Sequence, residues 1–308
     1  PLYMFINNTG VLGGANAGID GLILAEFAGA SLLICAGAVL GRLKMWQYII
    51  LGLLFVPSYV FNEWILSSGG FGLIAKGAFA DTGGSIIIHA FGAIFGLGVI
   101  LTMTTTKEYQ TPIESDTTSD LFSMLGSMML WIFWPSFCAA LVPAALVPAT
   151  VINVVLALSG STIATYLMSV ALRRKIAISD IANAALAGGV AIGSTCDHAA
   201  PGVAMLIGVL AGTLSVVGFA AISKWFQRAI KKVDTCGVMY LHGLPGIMGG
   251  LAALFVVHGI NPGVQLTGIG LMIAIALVTG YVVGRVLVLF GRRVELYVDS
   301  EEFLDAEA

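Results

Sequence analysis

The chain has 308 residues, 58% of them hydrophobic and only 10% charged, with a formal net charge of −3, and its mean hydropathy is +0.98. That is too little polar surface to cover a water-soluble domain of this length, so lipid must be part of its solvent. No basic stripe with interleaved aromatics suggests nucleic acid, and Cys35, Cys138, Cys196 and Cys236 lack both metal-ligand spacing and the density of a disulfide scaffold, so they read as buried free thiols.

Apolar runs of about 20 residues, long enough to cross a hydrocarbon core of roughly 30 Å, predict spans at 20–41, 45–66, 82–105, 119–142, 149–172, 178–196, 199–223, 235–258 and 265–291. The fold class is all-α integral membrane with about nine transmembrane helices. Gly is abundant, as helices that approach closely in lipid require; the pairs Gly92/Gly96 and Gly246/Gly250 fit that packing role. If the spans alternate, Arg42, Lys44, Lys107, Arg173, Arg174, Lys175, Lys224, Arg228, Lys231, Lys232, Arg292 and Arg293 fall on one side, and the opposite loops carry only Lys76. The basic side is cytoplasmic, so the chain begins outside and its tail ends inside.

One pattern occurs twice. Asp81-Thr-Gly-Gly-Ser-Ile-Ile-Ile-His89 returns 153 positions later (81 to 234) as Asp234-Thr-Cys-Gly-Val-Met-Tyr-Leu-His242. A spacing of eight is a little over two helical turns, which places acid and histidine on roughly one helix face, about 12 Å apart along it. With alternating spans, the helix at Asp81 runs inward and the helix at Asp234 outward. Inverted copies bring equivalent groups together near the bilayer midplane, where substrate pathways form, and His89 and His242 would meet there. Asp81 and Asp234 are also good helix N-caps, and capping alone would explain them.

Ahead of Asp234 the second unit has four spans, whereas ahead of Asp81 the first has two; a deficit of about 50 residues equals two helices. The chain is accordingly divided into an incomplete first repeat with three helices (1–105), a cytoplasmic loop (106–118), a second, inverted repeat with five helices (119–258), a last helix (259–291) and a cytoplasmic tail (292–308).

The motifs Ala25-Glu-Phe-Ala-Gly-Ala, Gly37-Ala-Val-Leu-Gly41, Asn62-Glu-Trp, Gly84-Ser-Ile-Ile-Ile-His-Ala-Phe-Gly, Ser119-Asp-Leu-Phe-Ser-Met, Leu130-Trp-Ile-Phe-Trp-Pro-Ser-Phe137, Asn183-Ala-Ala-Leu-Ala-Gly-Gly, Asp234-Thr-Cys-Gly and Leu241-His-Gly-Leu-Pro-Gly occur in order over most of the chain. Together they resemble the Amt/Rh ammonium transporter family, and within it the Rh (Rhesus) branch. The resemblance implies a pore in each subunit lined by twin histidines, His89 and His242, and closed outside by two stacked phenylalanines, Phe27 and Phe137. It implies that Asp81 and Asp234 shape the vestibules and helix starts, that three copies form a homotrimer in the plasma membrane, and that neither a cofactor nor a metal takes part. Cys138 stands where many members have Asn, and no Trp lies between Leu66 and Asp81. The first implies a lost polar contact beside the gate; the second favours the Rh branch, with conduction of neutral ammonia.

The residue types suit that task. A bare ammonium ion meets a Born penalty of tens of kcal/mol in hydrocarbon, whereas a neutral polar molecule loses about 2–7 kcal/mol if unpaired. Each neutral imidazole offers one donor and one acceptor nitrogen. A proton-coupled or electrogenic ammonium transporter could use the same Asp/His groups as a relay. A metal-dependent hydrolase would need a third ligand at mid-depth, and none stands there.

Overall fold

The computed structural model describes residues 1–12, 18–111 and 115–293; the tail expected at 292–308 falls outside them from residue 294 onward. In chain order the helices are α1 (Leu2–Asn8), α2 (Ile19–Ala38), α3 (Met45–Ser67), α4 (Ser85–Met103), α5 (Thr106–Gln110), α6 (Thr117–Ala139), α7 (Val147–Arg173), α8 (Ile178–Ala184), α9 (Ala187–Ile192), α10 (Pro201–Ile230), α11 (Met239–Val256) and α12 (Pro262–Val288). Among the described residues eight of these are long and apolar enough to cross a membrane, and there is no strand.

Local chemistry sets the helix ends. Asn261 accepts from the amides of Gly263 and Val264 at 2.9 and 3.3 Å, with Pro262 in the first turn of α12. Asp116 caps α6 by accepting from Ser119 at 2.7 Å, and that hydrogen bond holds its carboxyl below the usual carboxylate range. At the start of α3, Gln47 accepts from Lys44 N and donates to the carbonyls of Leu287 and Gly291, which ties this end to the end of α12.

The sixth expected span, 178–196, is not a single helix. It divides into α8 and α9, interrupted at Ala185 and Leu186 and followed by a 3-10 turn over Gly193–Thr195. The Ala185 carbonyl accepts from Ser161 Oγ at 2.6 Å. Beyond the break, Gly188 lies against the α7 backbone and Gly189 against the Trp134 indole, where a Cβ would fall 2.1 Å from Ala157 O and 2.6 Å from the ring. The two glycines let α9 enter the centre of the bundle.

Helix α4 forms that centre: 89% of its apolar window is buried, while no other span exceeds 44%. Lys232, just before α11, donates to Thr104 O just after α4, and Val257 and His258, just after α11, line the same cavity as Asp81 ahead of α4. The two helices therefore run antiparallel, as the inverted copies require. Small residues permit the tight contacts. A Cβ on Gly280 of α12 would fall 2.2 Å from Phe95 O of α4, and one on Gly208 of α10 would fall 2.0 Å from Ala157 O of α7.

Gly208→Ala should lower the melting temperature of the detergent-solubilised protein by several degrees, at an overpacking cost of about 1–3 kcal/mol. Gly126→Ala, with nothing within 4 Å of its new methyl, should not lower it. Thermal unfolding monitored by tryptophan fluorescence measures both.

Candidate functional site

Both copies of the repeat build the same local device. Three residues after each acid stands a glycine in the left-handed region, Gly84 at φ 75° and Gly237 at φ 69°, and its amide donates to the acid's own carbonyl at 3.1 and 3.3 Å. The turn folds each carboxylate back over the amides beyond the glycine. Asp81 accepts from Ile86 N (3.0 Å) and Ile87 N (2.7 Å); Asp234 accepts from Val238 N (3.0 Å) and Met239 N (2.9 Å). These amides have no intrahelical acceptor, so the carboxylates satisfy them and complement the helix dipole.

The placement of acid and histidine on one helix face is thereby corrected. Asp81 and Asp234 precede their helices, because Gly84 and Gly237 interrupt the helical path. Past the interruption the chain enters a widened π-helical turn, Ser85–Ala90 in one copy and Met239–Gly243 in the other, and each turn contains one of the histidines. Asp81 has further support: Ser194 Oγ donates to its Oδ1 at 2.5 Å, Gly83 N donates to Gly193 O at 2.7 Å, and Ser85 Oγ donates to Val190 O at 2.6 Å. The broken sixth span thus anchors the start of α4.

The two turns bring His89 and His242 together, with ring centroids 5.3 Å apart and planes 12° from parallel. His89 also lies 5.3 Å from Trp134 at 21° and 6.1 Å from Phe137 at 48°. Phe137 in turn meets Phe27 at 4.6 Å, but at 55° the two rings are tilted and not stacked as expected. His89 Nδ1 and Nε2, His242 Nδ1 and Trp134 Nε1 are all buried with no hydrogen-bond partner. Buried polar groups left in this state are costly.

Three cavities succeed one another around this column. One of about 500 Å³ is lined by Asp81, Thr82, His198, His258 and Asn261. The histidines and Phe137 line a second of about 420 Å³ whose other walls are mostly apolar, among them Ile34, Trp134 and Val238. A third, of about 1220 Å³, holds Asp234 with Arg173, Gln227 and Tyr240. Leu33, Leu130 and Phe133, which border the histidine cavity between α2 and α6, are exposed. Lys232 precedes Asp234 by two positions and holds the end of α4 through Thr104 O; burial lowers its ammonium pKa against the opposing pull of Glu108.

Trp134 and Ser194 do not stand out in the sequence as site residues. Trp134 is three positions before Phe137 on one helix, so the helical period places both on one face and could have revealed it. Ser194 comes from the segment that breaks the sixth span, and no periodicity points to it. Among the described residues no group of three or more His, Cys, Asp or Glu could hold a metal ion.

A family model described as Ammonium Transporter Family matches residues 5–306. Ammonium transporter Rh type A of Bos taurus is 41% identical over 278 residues, which cover 86% of this chain and 63% of that protein. Ammonium transporter Rh type B of Tetraodon nigroviridis is 39% identical over 245 residues, covering 78% of this chain and 53% of that protein. The chain therefore spans less than two thirds of the length of these relatives. The solved structure of Nitrosomonas europaea Rh50, of the Rhesus protein family of channels, superimposes with a TM-score of 0.95 at 50% identity over 99% of this chain and 80% of that one. A sensor Amt protein at 18% identity shares the fold alone, with a TM-score of 0.74.

Replacing Asp81 with Ala would leave the amides of Ile86 and Ile87 and the Ser194 hydroxyl without their acceptor, a loss of about 2 kcal/mol or more. Asp81→Asn keeps one acceptor oxygen and should recover part of it. Equal destabilisation by the two substitutions, measured by thermal unfolding, would show that the charge, and not the geometry of acceptance, holds the turn.

Proposed function

We propose that this chain, which belongs to the ammonium transporter family, is an Rh-type channel that passes neutral ammonia across the cell membrane, with His89 and His242 as the hydrogen-bonding pair of its dry segment. The observation that carries this reading is the pair of near-parallel imidazoles, 5.3 Å apart, with both nitrogens of His89 and Nδ1 of His242 buried and without partners beside a mostly apolar cavity. Ammonia has one lone pair and three N–H groups, so it can accept from one ring and donate to the other. An ammonium ion has no lone pair and brings a charge whose desolvation such walls do not offset.

Phe27 and Phe137 form the outer gate in this reading. Their packed rings exclude water and hydrated metal ions, and their faces attract a cation at the mouth by up to about 2 kcal/mol, before it leaves its proton behind. Asp81 and Asp234 act as helix-start anchors at the two vestibules. Their carboxylate oxygens are engaged by amides of their own turns, which supports electroneutral passage over a carboxylate–imidazole relay. The chain is a transporter and not an enzyme; it is read as a homotrimer with one pore per subunit, with the basic loops and the C-terminus in the cytoplasm. Passage sealed from lipid requires that the exposed side at Leu33, Leu130 and Phe133 be covered by further apolar protein.

Liposomes containing the protein should alkalinise when an ammonium gradient is imposed, with no accompanying current. His89→Ala and His242→Ala should each slow that alkalinisation roughly tenfold, the equivalent of one lost hydrogen bond in the passage. Unchanged rates in both variants would remove the imidazoles from the mechanism, and a current proportional to flux would favour the electrogenic transporter.

A further inference from the structure

Cys138, near the end of α6, and Cys196, which follows the 3-10 turn over Gly193–Thr195, are both buried free thiols. Although 58 positions apart (138 to 196), they share a hydrogen bond. Cys196 Sγ also donates to Gly193 O at 3.4 Å, which leaves its lone pairs to accept from Cys138. We propose that these two thiols are a disulfide-forming pair, a redox-sensitive staple between α6 and the broken sixth span. Such a staple is independent of what the pathway conducts.

Both partners are held in place while the thiols are reduced. Asn153 of α7 donates to Cys196 O and Ala199 O at 2.9 and 2.7 Å, which fixes the Cys196 segment. Around Cys138 the chains are at contact distance: a Cβ on Gly83 would fall 3.0 Å from Cys138 Sγ and 2.9 Å from Gly193 Cα. A disulfide needs its sulfurs about 2 Å apart, and thiols already in hydrogen-bond contact have a short path to that separation. The loop so closed holds Ser194, the donor to Asp81, at one end and the α6 turn carrying Phe137 at the other.

Burial decides which oxidant suits the pair. Bulky disulfide reagents are excluded and the thiols react slowly, whereas hydrogen peroxide is uncharged and close to water in size. Thr82, next to Gly83, lines the cavity of about 500 Å³ that holds Asp81 and donates to Asp197 Oδ2 at 3.0 Å, next to Cys196. That cavity is the approach. The Cys138 sulfur gives up its proton and attacks one peroxide oxygen; the O–O bond breaks and the departing hydroxide takes that proton to become water. The Cys196 sulfur then attacks the sulfenic acid, the S–S bond forms, the S–O bond breaks, and a second water leaves with the Cys196 proton. Two thiols lose two electrons, and peroxide is reduced to two waters.

The test exposes the purified protein in detergent to hydrogen peroxide, then alkylates and digests it. Mass spectrometry without reduction should find one cross-linked peptide pair, Cys138 to Cys196, and thermal unfolding should shift upward by several degrees because the unfolded chain is restricted. Dithiothreitol should reverse both effects. Cys138→Ser and Cys196→Ser should each abolish them. Thiols at both positions that stay alkylatable, a cross-link through Cys35 or Cys236 instead, or sulfonic acids without a cross-link would overturn the pairing, and a cross-link that leaves the unfolding temperature unchanged would overturn the staple. Reversal by dithiothreitol is read on the unsubstituted protein, so the test stays decisive if a serine variant does not fold.

Discussion

A carboxylate folded over the first free amides of a widened helical turn is the interaction on which the rest of this structure depends. It occurs twice, at Asp81 and at Asp234, each time with a glycine of positive φ between acid and turn. Without an acceptor, those amides would be buried and unpaired at the start of a helix surrounded by protein and lipid, a state that is strongly disfavoured. With it, each turn is fixed, and each turn carries one imidazole. The antiparallel course of α4 and α11 then brings the two rings together.

The packing around this pair serves the same end. Gly189 makes room for the Trp134 indole, which lies nearly parallel to His89. Gly246 and Gly249 of α11 lie against Ser85 O and Ala191 O, where Cβ atoms would fall at 2.5 and 2.2 Å, so α4, α9 and α11 converge at backbone contact. Once the exposed side at Leu33, Leu130 and Phe133 is covered, an apolar enclosure would strengthen each hydrogen bond to a guest in the proposed channel. In the proposed channel the same apolar walls would make a charged guest unfavourable.

Much of this is legible in the amino-acid sequence, for identifiable reasons. Hydropathy marks a span wherever one helix crosses alone, and it locates all eight long helices. It does not show that 178–196 is broken, because a broken helix and a continuous one share the same composition when side-chain donors such as Ser161 Oγ accommodate the interruption. The repeat points to the histidines, since two ionisable groups in inverted apolar runs are rarely accidental. It misplaces the acids: eight residues fit two helical turns only if every intervening φ is helical, and those of Gly84 and Gly237 are not. Phe27 and Phe137 stand out only through the family resemblance, since a lone phenylalanine in a span looks like any other.

In the proposed channel the two imidazoles face each other in a passage kept dry by protein. A high-resolution cryo-electron microscopy structure of the protein in lipid nanodiscs, prepared with and without ammonium, tests that claim most directly. The expected result is His89 and His242 close to their present 5.3 Å separation, no lipid chain reaching either ring, and density for a small guest in hydrogen-bonding contact with the ring nitrogens when ammonium is supplied. Rings turned apart, or an acyl chain packed against His89, would contradict it.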